Sequence, residues 1–124
     1  MTDEEARRQV VRYWLEQARH ALASARSEAA AGRFNFAVNR AYYACFYAAS
    51  AVLLSEGRKF VKHSGVRAAL HRHLVKPGRI GPNLGQSYDL LFQRRGQADY
   101  AELVAFDQPQ VAEMIQKAGN SSPR

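Results

Sequence analysis

The chain has 124 residues, of which 47% are hydrophobic and 10% aromatic, so we expect one folded domain with a single core rather than a disordered chain. A formal net charge of +7 favours acidic partners, and the single cysteine excludes an intramolecular disulfide and fits a reducing cytoplasm. The acidic, helix-like beginning predicts no secretion or transit peptide, and we expect no membrane association.

The first predicted element is a long amphipathic helix. Thr2 and Glu5 have the spacing of a capping box, which satisfies the exposed amides at a helix start. Gly32 is suited to end the helix. Apolar residues recur between these points at steps of three and four, and they are Val10, Val11, Trp14, Leu15, Ala18, Ala21, Leu22, Ala25 and Ala29.

A central helix is predicted from Phe34 to Glu56. Apolar residues lie on nearly every side of it, which is typical of a helix covered by others. Its uncharged run, Ala41 to Ser55, is shorter than the roughly 20 residues that cross a bilayer. One face carries a polar stripe, which is either an amphipathic core with wet tyrosine tips or a functional groove. The stripe consists of Asn39, Tyr43, Tyr47 and Ser50, beside Arg40.

The excess positive charge is concentrated in residues 57–88. This segment contains seven lysines and arginines and no acidic residue, so it is either a phosphate-binding surface or a solvated face. Gly57 ends the central helix, and a basic loop leads to Ser64, the predicted N-cap of a third helix. Residues 76–78 break that helix, and we expect a loop as far as Gly85.

A fourth helix is predicted from about Gln86 to Gly96, and a last helix from Asp107 and Pro109. The predicted fold is therefore an all-α, up-and-down helical bundle of four to five helices over residues 1–118, with a frayed tail at 119–124. The apolar faces of the second and fourth helices exceed what one small bundle hides, which predicts a homodimer.

Few residues have a pattern that indicates chemistry. His71 and His73 point to nearly opposite sides of a helix, so we expect no metal site, and the glycines fit no nucleotide loop, so we expect no cofactor. Buried Cys45 is predicted to be inert. The run from Arg94 to Tyr100 could bind phosphate and move protons, although a local ion pair between arginine and Asp99 explains it equally well.

Three motifs together resemble the HEPN superfamily, and more narrowly its short stand-alone bacterial and archaeal proteins. They are Asn39-Arg40-Ala41-Tyr42-Tyr43-Ala44 with Phe46, His63-Ser64-Gly65-Val66, and Arg95-x-x-Ala98-Asp99-Tyr100. The resemblance covers the chain from about Trp14 to Ile115. It implies an up-and-down bundle, usually a homodimer, that is often encoded beside a minimal nucleotidyltransferase as a toxin–antitoxin pair.

Many HEPN proteins are metal-independent endoribonucleases with an Arg-x(4–6)-His motif, two copies of which form one site across the dimer. Here the residue five positions after Arg95 is Tyr100 instead of histidine. The loose pattern also occurs at Arg58 to His63 and at Arg67 to His73, away from the family's position, and we treat both as chance. His63 can supply the missing imidazole only if the fold brings it near Arg95.

The resemblance and the residues together predict two groups of site residues. The predicted catalytic residues are Arg95, Asp99, Tyr100 and His63. The predicted residues for nucleic-acid or phosphate binding are Arg40, Arg94, Arg58, Lys59, Lys62 and Arg67. The expected partners are RNA or a nucleotide, a nucleotidyltransferase and a second copy of the chain. The predicted function is that of an HEPN-type protein that binds RNA or nucleotide phosphates as one half of a toxin–antitoxin-like pair, with metal-independent ribonuclease activity as a further option. The alternatives are a non-catalytic adaptor that binds the nucleotidyltransferase or its nucleotide, and a helical scaffold with a solvated basic loop.

Overall fold

The computed structural model describes residues 2–60 and 62–98, and in these ranges the chain is all-α with no strand. Its helices are α1 (Asp3–Ala30), α2 (Phe34–Ser55), α3 (His63–Leu70) and α4 (Pro82–Ala98), and a π-helical turn at His71–Val75 continues α3. The all-α helical fold predicted from the sequence is thus confirmed. The predicted last helix and the frayed tail lie outside the described residues.

Both ends of α1 form as the local sequence predicts. The Thr2 hydroxyl accepts a hydrogen bond from the amide of Glu5 at 3.1 Å, and the Glu5 carboxylate accepts one from the Thr2 amide at 3.4 Å. At the other end, Gly32 has a φ of +79°, and the amide of Arg33 donates to the carbonyl of Glu28. This is a Schellman ending, which needs a residue that tolerates positive φ.

The central position of α2 is also confirmed. Half of its 22 residues are buried, and Gly57, with a φ of +80°, closes it with a second Schellman ending. Only residues 31–33 connect α1 to α2, and the two helices contact each other extensively, so they run antiparallel as a hairpin. The small buried side chains of α2 allow its neighbours to approach closely, and they are Ala37, Ala41, Ala44, Ala48, Ala49 and Ala51.

Two helix starts differ from the sequence prediction. Helix α3 begins at His63 with Lys62 as N-cap, instead of after Ser64, because the His63 ring is held against α2. Helix α4 begins at Pro82 rather than near Gln86, so the expected loop is four residues shorter. Proline at the first helical position has no amide to satisfy and a φ already suited to a helix.

The core lies between α2 and the helices that contact it. From the later part of the chain it includes Val66, Ala69 and Leu70 of α3 and Leu74 of its π-helical continuation, together with Tyr88 and Leu91 of α4. A Cβ built on Gly85 would lie 2.9 Å from Cγ2 of Val75, so α4 crosses the π-helical turn closely. No helix within residues 2–60 and 62–98 has the length and apolarity needed to cross a membrane.

Candidate functional site

The centre of the candidate site is Tyr42, whose side chain is completely buried in the middle of α2. Its ring lies within 6.0 Å of several other aromatic rings contributed by α2, α3 and α4, measured between centroids. These rings belong to Tyr43, Phe46, His63, Tyr88 and Phe92. Burial raises the pKa of Tyr42 to about 12, so its hydroxyl keeps its proton near neutral pH.

His63, the first residue of α3, is fixed by two contacts with α2. Its Nδ1 lies 2.8 Å from the hydroxyl oxygen of Tyr42, at hydrogen-bonding distance. Its ring stacks on Phe46, with centroids 4.1 Å apart and planes inclined by 11°. These contacts hold Nδ1 against Tyr42 and leave Nε2 as the other ring nitrogen available for proton exchange.

Arg95 reaches the same cluster from α4. Its Nη2 donates a long hydrogen bond of 3.4 Å to the hydroxyl of Tyr43. Its guanidinium carbon lies 5.7 Å from the ring centre of Tyr42 and 5.8 Å from that of Tyr43, in the range of cation–π contacts. Three different helices therefore bring an imidazole, a phenol and a guanidinium together.

The electrostatics of the cluster favour a neutral imidazole. Burial lowers the pKa of His63, and the positive charge of Arg95 lowers it further. The tautomer that donates from Nδ1 to Tyr42 leaves Nε2 as a proton acceptor. A neutral acceptor beside a permanent cation can take a proton from a hydroxyl group while the cation holds an adjacent anion.

Arg40 extends the cluster along α2. Its guanidinium donates two hydrogen bonds to Oδ1 of Asn39, at 2.7 and 3.1 Å, and lies 4.9 Å from the ring centre of Tyr43. Tyr43 thus contacts both Arg40 and Arg95. Of the polar stripe predicted on α2, Tyr43 belongs to this cluster and Ser50 lines an adjoining groove.

The other predicted site residues are distributed differently. Arg67 pairs with Asp89 of α4 at 2.7 Å, and its guanidinium carbon lies 5.0 Å from the ring centre of Phe92 at the edge of the cluster. Asp89 also contacts Nε2 of His71 at 2.9 Å. Lys62 is exposed at the start of α3, and Arg94 is partly exposed on α4. The remaining two predicted catalytic residues, Asp99 and Tyr100, lie outside the described residues.

Arg58 and Lys59 line a groove that also includes His63. The groove is formed by α1, the end of α2, the basic loop and the start of α3, and its volume is about 520 Å³. His63 is one of its lining residues, so the groove and the cluster share this imidazole. The loose Arg58-to-His63 motif, treated as chance in the sequence, has both of its ends on this groove.

Sequence reasoning missed several residues of the two sites. The role of Tyr42 was not recognised, although it stands in the motif that carries the family resemblance, because a buried tyrosine looks like any other core residue. The lining residues Arg7, Trp14 and Phe60 were also missed. Trp14 is far from the loop residues in the sequence, so its place in the groove could not be predicted. The one signal in the sequence is Phe60, because an aromatic residue inside a basic loop is suited to contact a ligand.

Metal ligands do not gather in the part of the chain that the structure describes. No group of three or more histidine, cysteine or acidic side chains there is arranged to hold an ion. His71 is engaged with Asp89, whereas His73 lies near Arg58, Arg72 and Arg79, whose charges lower its pKa further after the effect of burial. The candidate site itself consists of imidazole, phenol and guanidinium groups.

Comparison with known proteins connects this arrangement to a family. The HEPN domain model matches residues 11–120. A UPF0332 protein of Thermotoga maritima is 44% identical over 109 residues, which cover 88% of this chain and 83% of that protein. "Putative toxin MJ0605" of Methanocaldococcus jannaschii is 32% identical over 91 residues, covering 66% and 68% of the two chains. "Putative toxin MJ0142" of the same organism is 27% identical over 84 residues, covering 68% and 57%.

Proposed function

The chain belongs to the HEPN domain family, and from this premise we propose that it is a toxin-like protein that binds RNA phosphates and cleaves RNA without a metal ion. The observation that carries the proposal is the meeting of His63 and Arg95 around Tyr42. Two relatives named as toxins support the same direction. The family's catalytic motif has a histidine where this chain has Tyr100, and the imidazole of His63 supplies the missing group.

In the proposed reaction, the 2′-oxygen of a ribose attacks the neighbouring phosphorus, and the bond from phosphorus to the 5′-oxygen breaks. Neutral His63 takes the proton of the 2′-hydroxyl through Nε2, while Arg95 stabilises the negative charge of the phosphorane. The leaving 5′-oxygen takes a proton from water, and the hydroxide that remains takes the proton from His63 and restores its neutral form. The products are a 2′,3′-cyclic phosphate and a 5′-hydroxyl end, and no oxidant, metal or second substrate is consumed.

The proposed partners follow from the family. The protein acts as one half of a toxin–antitoxin-like pair with a nucleotidyltransferase, and it works as a homodimer. Related HEPN toxins are silenced when the partner adenylylates a tyrosine near the catalytic motif, so Tyr100 is the proposed acceptor. Asp99 is proposed to orient Arg95 through a charge-assisted hydrogen bond, which leaves other donors of the guanidinium for phosphate.

Cleavage of single-stranded RNA in the presence of EDTA tests the catalytic proposal. Arg95→Ala should reduce the rate by about two to three orders of magnitude, since removal of a donor to a developing oxyanion has that effect. His63→Gln should reduce it similarly, while Arg19→Ala, which removes an exposed cation of α1 outside the basic segment, should leave it nearly unchanged. The acidic limb of the pH–rate profile should lie below the ordinary histidine pKa of 6.5.

The competing function is a non-catalytic adaptor, which the tyrosine at position 100 favours because a phenol is a poor base near neutral pH. In that case the wild type cleaves no RNA, and Arg95→Ala weakens binding of the nucleotidyltransferase or its nucleotide. If neither Arg95→Ala nor Tyr100→Phe changes cleavage or binding, the site assignment is wrong for both functions.

Binding can be separated from catalysis by its salt dependence. If about five charges of the basic segment neutralise single-stranded RNA, the logarithm of the binding constant should fall with the logarithm of salt concentration at a slope of about −3.5. A slope near zero, or no binding at low salt, would remove nucleic acid from the proposed function.

A further inference from the structure

The groove beside His63 combines apolar and cationic walls. Its apolar side includes Val10, Trp14, Phe46 and Phe60, and its cations are Arg7, Arg58 and Lys59. Among the described residues that line it there is no acidic side chain. At about 520 Å³ it has the size of sites that bind small organic ligands.

Contacts across the groove hold its walls in place. Trp14 of α1 packs on Tyr47 of α2, with ring centroids 5.3 Å apart. A Cβ built on Gly65 would lie 3.3 Å from Cδ1 of Phe60, so this ring rests on the first turn of α3. A Cβ built on Gly57 would lie 3.3 Å from Nη1 of Arg7, which places the guanidinium beside the end of α2.

The apolar wall is open to solvent. Four large hydrophobic side chains are exposed in residues 2–60 and 62–98, and two of them, Val10 (43% exposed) and Phe60 (38%), line this groove. Exposed apolar groups next to cations match a ligand that carries both a flat ring and negative charge. Nucleic acid single strands have this composition in every unit, because each base offers a π-face and each linkage a phosphate.

We propose that this groove holds one nucleotide of a single-stranded RNA, with its base against Phe60 and Trp14 and its phosphate near Arg7, Arg58 and Lys59. The inference rests on the proposed function and specifies it, since His63 belongs both to this groove and to the cluster with Arg95. A nucleotide in the groove lies next to the imidazole that takes the 2′-proton. In this proposal the groove selects and positions the nucleotide next to the cleaved bond of the RNA.

Trp14 provides a direct measurement, because it is the only tryptophan of the chain and it lines the groove. A 2′-O-methyl hexanucleotide lacks the attacking hydroxyl and stays intact during a titration. We expect it to quench the fluorescence of Trp14 saturably. Binding that appears in the anisotropy of a labelled hexanucleotide without any change in Trp14 fluorescence would place the RNA elsewhere and overturn the proposal.

Matched variants test the two walls separately. Phe60→Ala should weaken binding about tenfold, since loss of an aromatic stacking partner costs roughly 1–3 kcal/mol per base. Replacing both Arg58 and Lys59 by alanine should reduce the salt slope by about 1.4. The controls are Phe36→Ala, an exposed aromatic outside the groove, and Arg19→Ala, an exposed cation of α1 outside the basic segment, and each should change affinity less than twofold. Equal losses in the controls would contradict a defined nucleotide site.

An acidic peptide is the other ligand that cations attract, and it serves as a competitor. A decamer of glutamate should not displace the hexanucleotide at comparable concentration. Displacement with equal affinity would assign the groove to a protein segment and reject the nucleotide.

All variants involve exposed side chains, and their helicity by circular dichroism should match that of the wild type.

Cleavage assays separate this inference from the proposed function. If the hexanucleotide binds in the groove but the natural RNA is not cleaved, ribonuclease activity is rejected and the nucleotide site stands. If RNA is cleaved in a manner that depends on His63 and Arg95, yet Phe60→Ala leaves KM unchanged, the ribonuclease stands and the groove proposal fails.

Discussion

Removal of the Tyr42 hydroxyl should measure how strongly the candidate site holds its histidine. Tyr42→Phe keeps the buried ring and its aromatic neighbours and deletes only the group that lies 2.8 Å from Nδ1 of His63. One such hydrogen bond contributes about 1 kcal/mol net. For a chain of 124 residues this loss should lower the melting temperature by about 4 °C.

The matched control is Tyr43→Phe, on the next residue of the same helix. Its hydroxyl is only 3.4 Å from Nη2 of Arg95, which is a long hydrogen bond, so the loss should be less than half of that for Tyr42. Thermal unfolding followed by circular dichroism at pH 7.5 provides both values. The comparison removes effects shared by any tyrosine-to-phenylalanine change on α2.

A double-mutant cycle isolates the contact. His63→Phe keeps a ring on Phe46 but cannot bond to Tyr42, so the second substitution, Tyr42→Phe, should then cost less than it does in the wild-type background. The expected coupling is about 1 kcal/mol. A coupling near zero, with equal effects of Tyr42→Phe in both backgrounds, would refute the claim that this hydrogen bond orients the imidazole.

Because the pKa of His63 is lowered in the folded chain, the protein should lose stability as the pH falls. Its pKa in the folded chain lies below the ordinary value of 6.5, so the unfolded chain binds the proton more readily. The contribution of His63 is therefore complete above pH 6.5 and is lost as the pH falls through the folded-state pKa. Wild-type stability should decrease from pH 7 towards pH 5, and His63→Phe should show a shallower decrease.

Three further predictions concern the helix contacts and the assembly. Burial acts against ionisation of Asp89, but its hydrogen bonds with Arg67 and His71 prevail and hold its pKa below 3.8. The stabilising contribution of Asp89 is therefore lost as the pH falls through that lowered pKa. In urea titrations between pH 5 and pH 3, the free energy of unfolding of Asp89→Asn should depend less on pH than that of the wild type, and an equal dependence would contradict this prediction. Gly85→Ala should destabilise the protein by about 1–3 kcal/mol in urea titrations, because the added Cβ would lie 3.0 Å from Cε1 of His71. The control Gly81→Ala has open space around the added Cβ and should change the free energy of unfolding much less. Equal effects of the two substitutions would reject the close helix crossing. Light scattering at micromolar concentration should give twice the 13.9 kDa of one chain, and a monomer would count against the predicted homodimer.

The helices of this protein could be predicted because their signals are local. A period of three to four apolar residues, a capping box at Thr2 and the glycines at 32 and 57 each act within a few residues of where they stand. The starts of α3 and α4 differ from the sequence prediction for two different reasons. Helix α3 begins at His63 because this residue is held by its contacts with α2, which the local sequence does not contain. Helix α4 begins at Pro82, which lies in the expected loop but is suited to a first helical position.

The sequence by itself determined which residue types were present for chemistry, and the family resemblance indicated Arg95 and His63 as candidates. Whether the two meet depended on the packing of α2, α3 and α4, since Tyr42 and His63 are 21 residues apart and Tyr43 and Arg95 are 52 apart. Periodicity states which face of a helix is buried, but it carries no information on which helices face one another. The groove that places Trp14 beside the basic loop was decided in the same way, by how closely the alanine-rich α2 lets its neighbours approach.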